Sequence, residues 1–137
     1  MTFDELMAAH KKAVKTRKRP TEEEHRIQCA CVRWFALQYP ALRQRLFAVP
    51  NGGRRDATTA SRLKAEGVVA GVSDLILLKS NRNYGALLIE MKTRSGRQSP
   101  LQKLWQKTVC ADSEYKYVVC RSFDDFKREV DDYLKNE

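Results

Sequence analysis

The sequence predicts an α/β domain whose helices pack against a sheet that contains a β-hairpin. Two apolar runs, residues 75–78 and 86–89, flank a polar Ser-Asn-Arg-Asn segment, which is the pattern of a hairpin. Both runs are apolar at successive positions, as in strands that are covered on both faces. Segments with apolar residues at helical spacing lie on either side of the hairpin. The predicted order of elements is α, β, α, β, β, α, β, α.

Length and charge narrow the class of protein further. The chain has 137 residues, enough for one domain with a single core. Its 26 basic and 17 acidic residues give a net charge of +9, which favours a polyanionic partner such as nucleic acid. No run of about 18 apolar residues and no apolar signal core are present. We therefore expect no membrane association and an intracellular location, in the cytoplasm or at the nucleoid of a host, with a phage origin left open.

Basic residues are concentrated in a predicted N-terminal arm, residues 1–20, which precedes a domain of residues 21–137. The arm ends at Pro20, and its bases are Lys11, Lys12, Lys15, Arg17, Lys18 and Arg19. Such a block either forms a solvated tail or binds the phosphates of DNA, and Lys18 and Arg19 are the candidates for DNA contact.

The first helix of the domain is predicted from a capping pattern. Thr21 followed three residues later by Glu24 is a capping box, and the core stripe that follows is Ile27, Cys31, Trp34 and Phe35. Glu24 has two open interpretations, as a local cap or as a residue of a functional site.

A short strand, residues 45–49, is predicted to end at a glycine-containing loop. This loop has five candidates for contact with a phosphate backbone, namely Asn51, Gly52, Gly53, Arg54 and Arg55. A bare connecting turn is the alternative. A short helix over residues 57–66, ended by Gly67, leads to the hairpin.

The segment after the hairpin combines a basic turn with a second capping pattern. Arg94 and Arg97 are further candidates for DNA contact, and Ser99, Pro100 and Gln102 match the start of a helix. The predicted buried face of that helix is Leu101, Leu104, Trp105 and Thr108. A strand over residues 115–120 and a helix starting at Ser122, with its buried face at Phe126, Val130 and Tyr133, complete the chain.

The four cysteines are interpreted as reduced thiols in the core, because their spacing contains no CxxC pair. A zinc site formed by His25, Cys29, Cys31 and a distant cysteine is the alternative. The sequence also has no P-loop, GxGxxG, HExxH or GxSxG motif, so we expect neither a nucleotide cofactor nor serine-based chemistry.

The hairpin carries three charged residues at the ends of otherwise apolar strands: Asp74, Glu90 and Lys92. A turn centred on Arg82 pairs residues whose numbers sum to 164, which sets Asp74 opposite Glu90. Directly opposed carboxylates repel unless one is protonated or a cation lies between them. Lys92 points to the same side of the sheet as Glu90. The set suits a hard divalent cation with a lysine beside it, and a simple ion pair is the alternative.

Five motifs in a fixed order carry a family resemblance that runs from about Glu24 to the last helix. They are Glu24-x-x-Ile27-Gln28, Pro50-Asn51-Gly52-Gly53, Gly71-Val72-Ser73-Asp74, Ile89-Glu90-Met91-Lys92 and Ser99-x-x-Gln102. The chain resembles the PD-(D/E)xK nuclease superfamily and, within it, the virus-type replication-repair nuclease (VRR-NUC) family. One departure is Ser73, where the superfamily has proline, and this concerns loop geometry more than chemistry.

The resemblance implies a restriction-endonuclease-like core with a mixed sheet flanked by helices, and Mg²⁺-dependent hydrolysis of DNA with Mn²⁺ as a substitute. Asp74, Glu90 and the Met91 carbonyl would bind the cation, and Lys92 would orient the attacking water or stabilise developing negative charge. Glu24 would bind the metal through water or a second ion, and Gln102 would position Lys92 or the nucleophile. A homodimer that cuts branched DNA such as Holliday junctions is expected. The alternatives are a non-catalytic DNA-binding protein with a degenerate site and a monomeric nuclease for flaps or duplex ends.

Overall fold

The computed structural model describes residues 2–5, 22–50 and 56–137, and its elements follow the predicted order. Helix α1 is Glu22–Gln38, and a 3-10 helix that the sequence did not predict, Pro40–Arg45, leads to strand β1, Leu46–Ala48. Then come α2 (Ala57–Ala65), β2 (Leu75–Leu77), β3 (Ala86–Met91), α3 (Pro100–Val109), β4 (Tyr115–Cys120) and α4 (Phe123–Lys135).

The four strands form one mixed sheet in the order β1-β2-β3-β4, as expected of this α/β class. Strand β2 runs antiparallel to both of its neighbours, β1 and β3, and β4 runs parallel to β3. The predicted hairpin register is confirmed, since Leu75 pairs with Ile89 and Ile76 with Leu88. The turn is held by Asn81, whose side-chain oxygen accepts hydrogen bonds from the backbone N–H groups of Asn83 and Tyr84 at 2.9 and 2.8 Å.

One face of the sheet forms the hydrophobic core with α1 and α4. Alternation along the strands places Leu75 and Leu77 of β2, and Leu87, Ile89 and Met91 of β3, on this face. The helices contribute the predicted stripes, with Cys31 and Phe35 from α1 and Phe126, Val130 and Tyr133 from α4 all buried. Trp34 packs edge-on against Tyr39, Phe123 and Phe126, joining the two helices.

The opposite face carries the remaining residues of the same strands, including the charged ones. Asp74 and Glu90 are both even-numbered residues of the hairpin and therefore lie on the face away from this core. In β4, the parallel register pairs Leu88 with Tyr117 and Glu90 with Val119, so Tyr117 also lies on that face. This placement brings β4 side chains beside Glu90.

Gly71 allows the segment before Asp74 to approach the start of α3 closely. Its φ is +89°, and a Cβ at this position would lie 2.4 Å from the backbone oxygen of Leu101. Any side chain would push the two segments apart, so glycine is required both for its backbone conformation and for space. The contact places the start of α3 next to the segment that leads through Asp74 into β2.

Several sequence expectations about burial and strand limits are wrong. Leu78 lies beyond the end of β2 and is exposed, and Leu104 and Thr108 of α3 are exposed rather than buried. Strand β1 is three residues long, because the 3-10 helix includes Arg45 and the strand ends at Ala48, before Val49. Cys29 is exposed, whereas Cys31 and Cys120 are buried and Cys110 is half-buried. Helical spacing alone does not show where the neighbouring elements end, and α3 covers the sheet with only part of its apolar residues.

Candidate active site at the end of the hairpin

The site is built around Asp74 and Glu90, which the register brings together at the ends of their strands. The backbone N–H of Met91 donates to Asp74 Oδ2 at 2.7 Å, which fixes the aspartate against the neighbouring strand. The backbone carbonyl of Asp74 accepts from Val49 N at 2.9 Å, so the same residue is also tied to the segment after β1. Asp74 is therefore held on both sides by backbone groups while its carboxylate faces Glu90.

Glu90 is a buried carboxyl group with hydrogen-bond partners on both of its oxygens. Only 1% of the residue is exposed. Gln102 Nε2 donates to Oε1 at 2.9 Å, and the Tyr117 hydroxyl donates to Oε2 at 3.3 Å. A buried charge is costly without such partners, so the surroundings of Glu90 are arranged to hold this group in one orientation.

Burial is the main cause that raises the pKa of Glu90 from 4.5 to about 9. The negative charge of Asp74 and a hydrogen bond with that carboxyl group contribute to the rise, whereas Lys92 and Tyr117 act in the opposite direction. In the absence of a cation, burial and the neighbouring charge of Asp74 therefore favour the protonated form of Glu90 near neutral pH. A positive charge between the carboxyl groups of Asp74 and Glu90 would therefore stabilise the site.

Lys92 lies beside the pair, as its position on the strand predicts. Its Nζ is 3.8 Å from Glu90 Oε1, and its side chain is 12% exposed. The backbone N–H of Lys92 donates to Cys120 O at 3.0 Å, which continues the ladder with β4 beyond Met91. The ammonium group is therefore held beside Glu90 from a backbone position that the sheet fixes.

Gln102 reaches Glu90 from the first turn of α3. Its backbone N–H donates to Ser99 Oγ at 3.2 Å and its side-chain oxygen accepts from Ser99 N at 2.8 Å, so the predicted capping box is complete. The amide nitrogen of the same side chain makes the 2.9 Å bond to Glu90. Gln102 contacts the carboxylate, whereas the sequence expectation assigned it to Lys92 or the nucleophile.

Two residues of this network, Tyr117 and Gln98, were missed by sequence reasoning. Gln98 Nε2 donates to the Tyr117 hydroxyl at 3.1 Å, and the Tyr117 ring lies 6.2 Å from that of Trp105. Burial, followed by the charge of Glu90, raises the pKa of Tyr117. The only signal in the sequence was a tyrosine within a strand, and its meaning depends on the parallel register with β3.

Glu24 lies in the first turn of α1 and is half-buried. Within residues 2–5, 22–50 and 56–137, no three or more His, Cys, Asp or Glu side chains form a group that could hold a metal ion. The structure therefore brings Asp74 and Glu90 together as a pair and does not gather Glu24 with them into such a group. A role for Glu24 through an intervening water stays a prediction.

The same finding bears on the alternative zinc site at the cysteines. Cys29 Sγ lies 3.6 Å from His25 Nε2 on the exposed side of α1, whereas Cys31 points into the core. The two cysteines lie on different sides of the helix, so the four-ligand arrangement considered from the sequence is not formed among the described residues. Burial raises the pKa of the Cys31 thiol to about 12, which is consistent with a structural, uncharged group.

The predicted DNA-contacting residues fall into two groups. Arg94 and Arg97 lie on the turn between β3 and α3. Arg121 holds this turn, because its guanidinium donates to the backbone oxygens of Thr93 and Gly96. The other candidates, Lys18, Arg19, Asn51, Gly52, Gly53, Arg54 and Arg55, lie outside the described residues, as does most of the predicted N-terminal arm.

Comparison with known proteins decides the family. The sequence profile of the VRR-NUC domain matches residues 12–124, which is most of the chain. The chain belongs to the VRR-NUC family. The fold is accordingly of the nuclease type, and the matched span contains Glu24, Asp74, Glu90, Lys92 and Gln102.

A solved structure supports the same assignment. A protein described as a VRR-NUC domain protein superposes with a TM-score of 0.71 at 25% sequence identity, over 85% of this chain and 92% of the other. No significant match was found among proteins with curated descriptions. In the part of the VRR-NUC domain that the structure describes, no helix combines the length and hydrophobicity that crossing a membrane requires.

Proposed function

We propose that this VRR-NUC protein is a divalent-metal-dependent endonuclease that hydrolyses DNA phosphodiesters. The observation that carries the proposal is the convergence of Asp74 and buried Glu90 from adjacent strands, with the Lys92 ammonium 3.8 Å from Glu90. Membership of a family with a nuclease-type fold supports the same reaction class. The proposed ion is Mg²⁺, with Mn²⁺ as a substitute.

The donor set fits a hard cation. Two carboxylates that share a site are stable together when one is protonated or when a cation lies between them. Carboxylate and carbonyl oxygens are the ligands that Mg²⁺ prefers, and the candidates are Asp74, Glu90 and the Met91 carbonyl, with Glu24 acting through water. A bound Mg²⁺ would supply the positive charge that polarises the scissile phosphate and lowers the pKa of the attacking water.

The protein's own residues would perform three tasks. Gln102 holds Oε1 of Glu90, which keeps the carboxylate oriented. Lys92 presents a localised positive charge beside Glu90, where it would orient the attacking water and stabilise charge that develops on the phosphate. Arg94 and Arg97, on the turn held by Arg121, would contact the DNA backbone next to the reacting group.

A non-catalytic DNA-binding protein with a degenerate site is the second candidate. The Lys92–Glu90 contact favours it, because a lysine beside a carboxylate is also an ordinary ion pair. The two candidates differ in their need for metal. We would incubate the protein with labelled four-way junction, flap, duplex and single-stranded DNA, with and without Mg²⁺. Metal-dependent cleavage supports the nuclease, and binding of DNA without cleavage under all conditions supports the second candidate.

The proposed substrate is branched DNA, cut by a homodimer. Resolution of a four-way junction needs two cuts on opposing strands, and a two-fold pair presents two related sites to a two-fold substrate. Light scattering measures the mass, and a mixed dimer with one Glu90→Gln subunit should nick junctions without resolving them. A monomer that cuts flaps or duplex ends would replace this proposal with a processing nuclease that acts singly.

The N-terminal arm is proposed to add affinity for DNA. Deletion of residues 1–19 removes six basic residues, so DNA affinity should fall. The slope of log K against log salt should become shallower by about 0.9 for each duplex phosphate that the arm neutralises in the full-length protein. An unchanged slope would show that the arm is a solvated tail.

A further inference from the structure

The second oxygen of Glu90 is held by a chain of polar side chains that starts in α3. Gln98 Nε2 donates to Gln106 Oε1 at 3.0 Å and to the Tyr117 hydroxyl at 3.1 Å. Tyr117 in turn donates to Glu90 Oε2 at 3.3 Å. The chain therefore runs from a helix, through a residue of β4, to the buried carboxylate.

The amide orientations of Gln98 and Gln106 give each hydrogen bond in this chain a direction. The amide nitrogen of Gln98 is only a donor, and the amide oxygen of Gln106 is only an acceptor. Because Gln98 donates to the oxygen of Tyr117, the single hydroxyl proton of Tyr117 remains available for Glu90. The ring of Tyr117 packs near Trp105, which limits its rotation. Tyr117 is thus oriented to donate towards Glu90.

Two donors on different oxygens restrict a torsion that is otherwise soft. The terminal torsion of a glutamate side chain has broad preferences, so a single hydrogen bond leaves the carboxylate plane free to turn. Gln102 holds Oε1, and Tyr117 holds Oε2. Each carboxylate oxygen accepts about two hydrogen bonds or ligand contacts, so one donor on each leaves a position for a cation.

We propose that Tyr117, held by Gln98, is a positioning residue that sets the plane of the Glu90 carboxylate for binding of a divalent cation. The inference rests on the proposed function of the site. It assigns a part in metal binding to Tyr117 of β4 and to Gln98, which lies just before α3. Partners that orient metal ligands typically change metal affinity by about 10- to 100-fold when they are removed.

The first test measures Mn²⁺ binding to the whole protein, without DNA, from the loss of the free-ion signal in electron paramagnetic resonance. Tyr117→Phe keeps the ring and removes the hydroxyl, and we expect Mn²⁺ affinity to fall about tenfold. Gln98→Leu should weaken Mn²⁺ binding in the same direction and by less, because it frees the Tyr117 hydroxyl without removing it. Tyr115→Phe is the matched control, since it removes an exposed hydroxyl from the same strand and should leave affinity unchanged.

The second test measures cleavage against Mg²⁺ concentration. Tyr117→Phe should raise the Mg²⁺ concentration for half-maximal rate about tenfold, with kcat largely restored at saturating Mg²⁺ and the KM for DNA unchanged. A residue that only supported the fold would lower thermal stability without this shift in metal requirement.

The outcomes separate this inference from the proposed function. If the wild-type protein binds Mn²⁺ and cleaves DNA while Tyr117→Phe keeps wild-type Mn²⁺ affinity, the positioning role is wrong and the nuclease assignment stands. If Tyr117→Phe weakens Mn²⁺ binding and Tyr115→Phe does so equally, the positioning role is also wrong. A wild-type protein that binds no Mn²⁺ and cuts no DNA would overturn both.

Discussion

The starts of helices α1 and α3 carry similar capping patterns in the sequence. In the structure they differ in their relation to the carboxyl groups of Asp74 and Glu90. At α3, the Gln102 side chain completes the capping box through its oxygen and contacts Glu90 through its nitrogen. At α1, Glu24 lies half-buried in the first turn and is not gathered with Asp74 and Glu90 into a metal-holding group within the described residues. Gln102 therefore combines a capping role with a contact in the site.

The chemistry of the two side chains explains part of this difference. An amide has a donor and an acceptor on separate atoms, so Gln102 can serve the helix and the carboxylate at once. An ionised carboxylate only accepts, and close to Asp74 and Glu90 it would add a further negative charge. Glutamine is thus suited to direct contact with Glu90 in the absence of metal, whereas Glu24 would need a cation or water in between.

The largest effect is expected at the residues that the hairpin brings together. Asp74→Asn, Glu90→Gln and Lys92→Met should each lower the rate of DNA cleavage by at least about 10³-fold, because each removes charge that acts on the reaction. DNA affinity should change little, since other basic residues supply it. Arg82→Gln, at the far end of the hairpin, is the control for a change of charge. Cleavage by Lys92→Met at the wild-type rate would contradict the mechanism.

The second effect is a pH dependence of stability in metal-free protein. The pKa of Glu90 is about 9 in the folded protein and 4.5 when unperturbed, so folding favours its protonated form. The stabilisation is complete below about pH 4.5 and is lost as the pH rises towards 9, because the unfolded chain then releases the proton that the folded chain retains. Over this window the contribution of one proton is at most about 1.4 kcal/mol per pH unit.

Urea unfolding in EDTA at several pH values measures this contribution. Glu90→Gln has no proton to lose at this position, so its free energy of unfolding should fall less steeply with rising pH than that of the wild type. Added Mg²⁺ should stabilise the wild type above pH 7 and leave the variant unaffected. Parallel pH profiles for the two proteins would show that Glu90 ionises normally in the fold.

The third effect separates the two tasks of Gln102. Gln102→Leu removes the bond to Glu90 and half of the capping box, and should lower cleavage about 10- to 100-fold. Ser99→Ala weakens the cap alone, so it should cost about 1 kcal/mol of stability with little loss of rate. Equal loss of rate in the two variants would mean that Gln102 acts only through the helix.

The smallest effect is expected for Glu24. If it binds the cation through water, Glu24→Gln should lower cleavage by about tenfold or less, well below the loss for Glu90→Gln. Glu23→Gln, at an exposed neighbouring position, is the control. A loss as large as that for Glu90→Gln would show that Glu24 becomes a direct ligand when metal and DNA are bound, and the contrast between the two helix starts would disappear.

Most of the fold could be predicted because its signals are local. The turn at Asn81, the capping box at Ser99 and the positive φ of Gly67 each depend on a few neighbouring residues. The mixed sheet and nuclease-type core came from the family resemblance. The errors were of a different kind, since the exposure of Leu78, Leu104 and Cys29 depends on where other elements end or pack.

Sequence alone determined the pairing of Asp74 with Glu90. A turn centred on Arg82 gives the observed register, and alternation along the strands then places both carboxylates and Lys92 on one face. Tertiary structure decided what surrounds that pair. Tyr117 reaches Glu90 because β4 returns parallel to β3, and Gln102 reaches it because Gly71 lets the segment before Asp74 lie against the start of α3. These contacts join residues that are 12 to 31 positions apart in the sequence, and no local sequence pattern specifies the path of the chain between them. The hairpin register, in contrast, joins two strands that are neighbours in the sequence and share one turn.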